Sequence, residues 1–150
     1  MLSRFWLLAA LALFVGALIP IQAATNAAMS KALGGISYAS LILFGVGLVV
    51  VFAWLLITQA PTPTVTAFRT APFYGYLGGV IVATYVLSIT FLAPRLGVGN
   101  AICFIVTGQI FAAVIIDHFG LFGAEVQTLS WTRAAGIALM IAGLFLAKRA

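Results

Sequence analysis

Apolar runs dominate the chain. Charged residues interrupt them at only nine positions: Arg4, Lys31, Arg69, Arg95, Asp117, Glu125, Arg133, Lys148 and Arg149. The long charge-free intervals are residues 5–30, 32–68, 70–94, 96–116 and 134–147. A membrane-crossing helix needs about 20 apolar residues, roughly 17–25, and the first four intervals meet that length. The fifth meets it once Leu129, Trp131 and a snorkelling Arg133 join its start. The pattern predicts five transmembrane helices over about 5–30, 37–58, 72–92, 97–117 and 130–147, in one domain spanning residues 1–150. Segments such as 41–57 are apolar on every face and lack the alternation of a transmembrane strand. The expected class is therefore an all-α integral membrane protein.

Polar residues inside the spans mark candidate chemistry. Pro20 lacks an amide hydrogen and crowds the carbonyl of Gly16, which predicts a kink in the first span. Beyond it, Gln22, Thr25, Asn26 and Met29 fall at about 0°, 300°, 40° and 340° on a helical wheel, one shared face. That face has two readings, hydrogen-bonded packing between helices or the lining of a cavity. The third span opens at Pro72 and carries Gly75 and Gly79, four apart, a spacing that lets helices approach closely. Thr84, Tyr85 and Ser88 follow. In the fourth span Asn100, Cys103 and Thr107 share a face, and Gln109 points nearly opposite, close to mid-span. A mid-membrane glutamine has four hydrogen-bonding sites to satisfy, so Gln109 is a candidate for function as well as for a helix-to-helix bond. Asp117 closes this span and is expected to pair with His118 or Arg133, a structural role preferred over proton relay. Gly136 and Gly143, one heptad apart, form a stripe for packing within the protomer or against another copy. Tyr38 and Trp54 suit the two interfacial belts.

Composition agrees with a lipid environment. Hydrophobic residues make up 65% of the chain and charged residues 6%, against about 25% charged in soluble domains. The mean hydropathy of +1.27 excludes a soluble enzyme, a disordered tail and a nucleic-acid module. The net charge of +5 is spread singly through the loops and forms no patch for nucleic acid. Cys103 is the lone cysteine and His118 the lone histidine. The sequence offers no metal-ligand cluster, no cofactor motif and no acid–base or nucleophile–base pair within the membrane, so neither a metal, a cofactor nor an enzyme is expected. Arg4 followed by an apolar run resembles a signal peptide, but the charge-free stretch continues for about 39 Å of helix. A retained first span is expected.

Five crossings place the termini on opposite sides. One side carries Arg4, Arg69 and Arg133, and the other Lys31, Arg95, Lys148 and Arg149, so the excess is four minus three, or one. Lys and Arg bias sets orientation, and a bias of one gives almost no instruction. One reading is an orientation fixed by that residue or by a partner. The reading preferred here is dual topology, with two oppositely inserted copies paired as an antiparallel homodimer, the inverted-repeat plan of many secondary transporters.

Several short segments carry a specific resemblance. They are Ile-Gln-Ala-Ala-Thr-Asn-Ala-Ala at 21–28, Phe-Gly-Val-Gly at 44–47, Tyr-Leu-Gly-Gly at 76–79 and Pro-Arg-Leu-Gly at 94–97. Thr-Gly-Gln at 107–109, Ile-Asp-His-Phe-Gly at 116–120 and Arg133 with Gly136 follow. In this order they resemble the YdcZ-like family of small bacterial inner-membrane proteins, within the drug/metabolite transporter superfamily. Phe73 and Tyr74 stand where that family usually has tryptophans. The resemblance implies five helices per unit, assembly of two inverted units and small-molecule transport. The small multidrug exporters of the superfamily carry a glutamate deep in their first helix. This chain has no acid deep in any span, so cation–proton exchange by that route is not implied. The expected function is secondary transport of a small polar or weakly charged metabolite, with Gln22, Thr25, Asn26, Tyr85, Thr107 and Gln109 as candidate substrate-binding residues. The alternative is a non-transporting assembly or regulatory subunit of a larger membrane complex.

Overall fold

The computed structural model of the chain describes residues 2–148. Arg149 and Ala150 lie outside the described residues, so the place of Arg149 in the charge balance rests on sequence alone. The described chain is helical: α1 (Leu2–Ala32), α2 (Ile36–Thr58), α3 (Val65–Thr70), α4 (Phe73–Tyr76), α5 (Gly78–Leu96), α6 (Val98–Phe119) and α7 (Trp131–Lys148), with a 3₁₀ turn at Leu121–Gly123. Four stretches are long and apolar enough to cross a membrane: Arg4–Ala32, Ile36–Thr58, Phe73–Leu96 and Val98–Phe119. The apolar part of α7, Trp131–Leu146, is shorter. Large apolar side chains line the outer faces, with Leu13 and Ile57 each 77% exposed. Lipid removes the cost of leaving such faces in water, about 25 cal/mol per Å².

Three expected boundaries shift. The connection over 59–71 is not all loop, because Thr64 caps α3, its Oγ1 accepting from the Ala67 amide at 3.2 Å. The third span does not start as one regular helix at Pro72. The bonds Gly75 N–H to Pro72 O at 2.9 Å and Leu77 N–H to Tyr74 O at 3.2 Å are short-range turns. Regular helix resumes beyond Leu77, so Gly75 and Gly79 fall in different elements. The expected loop 93–96 is helical: α5 runs through Pro94 to Leu96, and Gly97, at φ +82°, turns the chain into α6. Proline near a helix end disturbs few carbonyls, which is why the helix survives it. Pro20 likewise does not end α1.

Contacts divide the chain after Arg95 into two compact units. In the first, α1 and α2 form a hairpin through a tight three-residue turn. Gly35 N–H bonds Ser30 O at 3.0 Å and Gly34 N–H approaches Lys31 O at 3.4 Å, a Schellman closure. It requires a left-handed residue at Gly34, where φ is +70°. Buried positions on α1 are Ala23, Asn26 and Ala27, with Ser30 half-buried. They repeat at i, i+3, i+4 and i+7, the helical core spacing. On α5 the buried set is Val86, Ile89, Thr90 and Ala93, the same spacing, and α2 contributes Ala39 and Ser40.

The second unit is the α6–α7 hairpin. Phe104 meets Phe145 edge-on with ring centroids 5.9 Å apart. Gly120 closes α6 at φ +61°, and a Cβ there would lie 2.7 Å from Val126 Cγ2, so any side chain at this turn is strained. A Cβ added at Gly75, Gly79, Gly136 or Gly143 would meet no atom within 4 Å.

Candidate functional site

The first unit buries polar groups among its apolar spans. Asn26, 4% exposed on α1, donates through Nδ2 to Thr90 Oγ1 at 2.6 Å. The Thr90 hydroxyl in turn donates to Val86 O at 2.7 Å. Each residue lies six positions before the end of its helix. One turn before Asn26, the buried Gln22 Nε2 has no hydrogen-bond partner, and neither does the buried Ser40 Oγ. Such groups are costly when left unmade, about 1–3 kcal/mol each.

The polar face expected from Gln22, Thr25, Asn26 and Met29 is rotated by one residue. Thr25 is exposed, and its hydroxyl is spent on Ile21 O at 3.0 Å and Gln22 O at 3.1 Å. Met29 is also exposed, while Ala23 and Ala27 are buried. Alanines permit the close approach of the α1–α2 hairpin and draw that sector inward. Tyr85 is half-buried on α5, five residues before Thr90. Thr90 and Ser40 escaped sequence reading. The signal for Thr90 was available in the i, i+3, i+4, i+7 set that it forms with Val86, Ile89 and Ala93.

In the second unit Thr107 is half-buried and donates to Cys103 O at 2.8 Å. Cys103, Phe104, Thr107, Leu144 and Phe145 line a crevice of about 10 Å³, room for one water at most. Gln109 is exposed on α6. At the end of the hairpin Arg133 forms an ion pair with Asp117, both side chains about one-third exposed. Arg133 also donates to Gln127 O at 3.1 Å, and Gln127 N–H to Asp117 O at 2.9 Å. His118 turns elsewhere, its Nδ1 accepting from the Leu129 amide at 3.1 Å. Ser130 Oγ caps α7 by accepting from the Arg133 amide at 3.2 Å. Asp117 is thus held on its own hairpin by charge and by backbone. Among the described residues no group of His, Cys, Asp and Glu is placed to hold a metal ion.

The first unit thus carries buried amide and hydroxyl groups on membrane-length helices. No curated protein and no solved structure matches the chain. The family model DMT_YdcZ, described as "Putative inner membrane exporter, YdcZ", matches residues 7–146. The chain therefore belongs to the YdcZ family and is a multi-pass protein of the inner membrane.

Proposed function

We propose that the protein is a secondary transporter of a small polar or weakly charged metabolite, working by alternating access between two inverted subunits. The observation that carries this reading is the Gln22 amide. Its Nε2 is buried on a membrane-length helix without a partner, one turn from the Asn26–Thr90 bond. A buried donor with unused capacity is costly unless something else satisfies it at some point in the cycle, and a solute acceptor group would do so. Membership of an exporter family rather than an enzyme family supports the same reading.

Five crossings in one transmembrane domain complete it. α7 is 18 residues long, about 27 Å of helix, slightly short of a hydrocarbon core of about 30 Å. Pairing with Asp117 lowers the cost of carrying Arg133 in its first turn. An odd number of crossings with a charge bias of one allows both insertions, and two opposed copies supply the inverted repeat. Gly136 and Gly143 leave a stripe of α7 open for the second copy. Gln22, Asn26 and Tyr85 in the first unit, with Thr25 beside them, and separately Gln109 and Thr107 in the second, are the residues assigned to solute binding.

The test is efflux from proteoliposomes loaded with a mixture of polar metabolites and followed by mass spectrometry. Loss of a solute that empty liposomes retain is the expected result, and Gln22→Leu and Gln109→Leu should abolish it. Near-normal efflux by both variants would end the site assignment. Absence of flux, together with stoichiometric co-purification of an unrelated membrane protein, would assign the chain to the subunit role instead.

A further inference from the structure

Gln109 stands 11 positions after Val98, the start of α6, and 10 before Phe119, its end. It therefore marks the middle of a helix long enough to cross the membrane. Its side chain is exposed and makes no hydrogen bond to any described residue. Two other polar side chains of this helix are satisfied on their own backbone: Asn100 donates to Leu96 O at 2.9 Å and Thr107 to Cys103 O at 2.8 Å. At mid-bilayer there is no water to take up a free carboxamide, so such a group turns toward a protein surface that can.

The side chains around Gln109 are small. Gly108, Ala112 and Ala113 are all exposed beside it, and a Cβ added at Gly108 would meet nothing within 4 Å. Gly108 with Ala112, and Gln109 with Ala113, are spaced four apart, which lets another helix come close along this face. Symmetry selects the partner. Two copies inserted in opposite directions are related by a two-fold axis lying in the membrane plane at mid-depth. A residue at mid-depth on their interface faces its own counterpart, and every other residue faces one at the mirrored depth. A carboxamide can pair with its own copy because it carries both donor and acceptor. A lysine or a carboxylate there would repel itself.

We propose that two oppositely inserted copies cross at Gln109, the Nε2 of each donating to Oε1 of the partner's Gln109, with Gly108 and Ala112 permitting the close approach. This contact presupposes the inverted pairing proposed above and adds its register. A solute bound at mid-depth then meets two carboxamides, one from each copy.

Thiol cross-linking of the full chain in proteoliposomes tests the register, in a Cys103→Ser parent. Gln109→Cys should form a reducible dimer with itself. Ile105 and Ala113 lie four residues to either side of Gln109, about 6 Å along the helix, so an opposed copy brings the one level with the other. Ile105→Cys mixed with Ala113→Cys should cross-link, while each alone, about 12 Å out of register with its copy, should stay monomeric. Gln109→Leu should weaken dimerisation about eightfold, the loss of two bonds of average strength within membranes. Monomers from Gln109→Cys and from the mixture, in a parent that still exports solute, would overturn the contact and leave the transporter reading in place. Cross-linking of Ile105→Cys and of Ala113→Cys each with itself would show parallel copies, and would overturn the contact and the inverted pairing together.

Discussion

Asn26 and Gln22 stand one turn apart on α1, one with a partner and the other with its Nε2 unpaired. Asn26 is satisfied by Thr90 across the helix interface. Such bonds within membranes average about 0.6 kcal/mol and reach about 1.7. Asn26→Leu and Thr90→Val should each lower unfolding free energy by about 1 kcal/mol, and the double variant should cost less than the two together because one bond is lost once. Unfolding in bicelles measures all three, and full additivity would show that the two side chains are not coupled. Gln22→Leu should behave in the opposite way. It removes a buried donor that has no partner, so stability should hold or rise while solute efflux falls. A loss of stability above about 1 kcal/mol with normal efflux would make Gln22 a packing residue.

At the scale of elements, the turns carry more instruction than the spans. Gly120→Ala should destabilise the α6–α7 hairpin by about 1–2 kcal/mol, since it places a side chain at left-handed φ against Val126. Asp117→Asn should lower stability by about 1 kcal/mol and leave the pH profile of transport unchanged. A flattened profile at unchanged stability would instead make Asp117 a proton carrier. Four membrane-length stretches were legible in the sequence because a charge-free run of about 20 residues has few alternatives in lipid. Their ends were less so. The third span was expected to end near residue 92, yet a proline in the last turn removes little from α5, which runs to Leu96. The connection over 59–71 was expected to be loop, yet Thr64 caps a short helix there. The buried face of α1 was missed by one residue, because polar side chains were expected to mark it. Alanines mark it instead: Ala23 and Ala27 are buried while Thr25 satisfies its own hydroxyl. Gln22 and Asn26 stood out as lone amides in an apolar run; Ser40 and Thr90 looked ordinary until their neighbours were placed.

For the whole molecule the central prediction is orientation. Reporters fused after residue 150, one active only in the cytoplasm and one only outside, should both give signal. Two added lysines on either side should then drive every copy one way and abolish transport. Signal from a single reporter would end dual topology, with the helices unaffected. The Asn26–Thr90 bond has a further consequence, for synthesis rather than for the finished protein. Its partners are 64 residues apart in the chain, so at about 5–20 residues per second Asn26 waits about 3–13 s for Thr90 to be made. Until then the α1–α2 hairpin carries an unpaired amide that lipid disfavours. Nascent chains should therefore remain beside the insertion machinery until α5 emerges. Asn26→Leu should shorten that residence, as read by timed crosslinking of stalled chains.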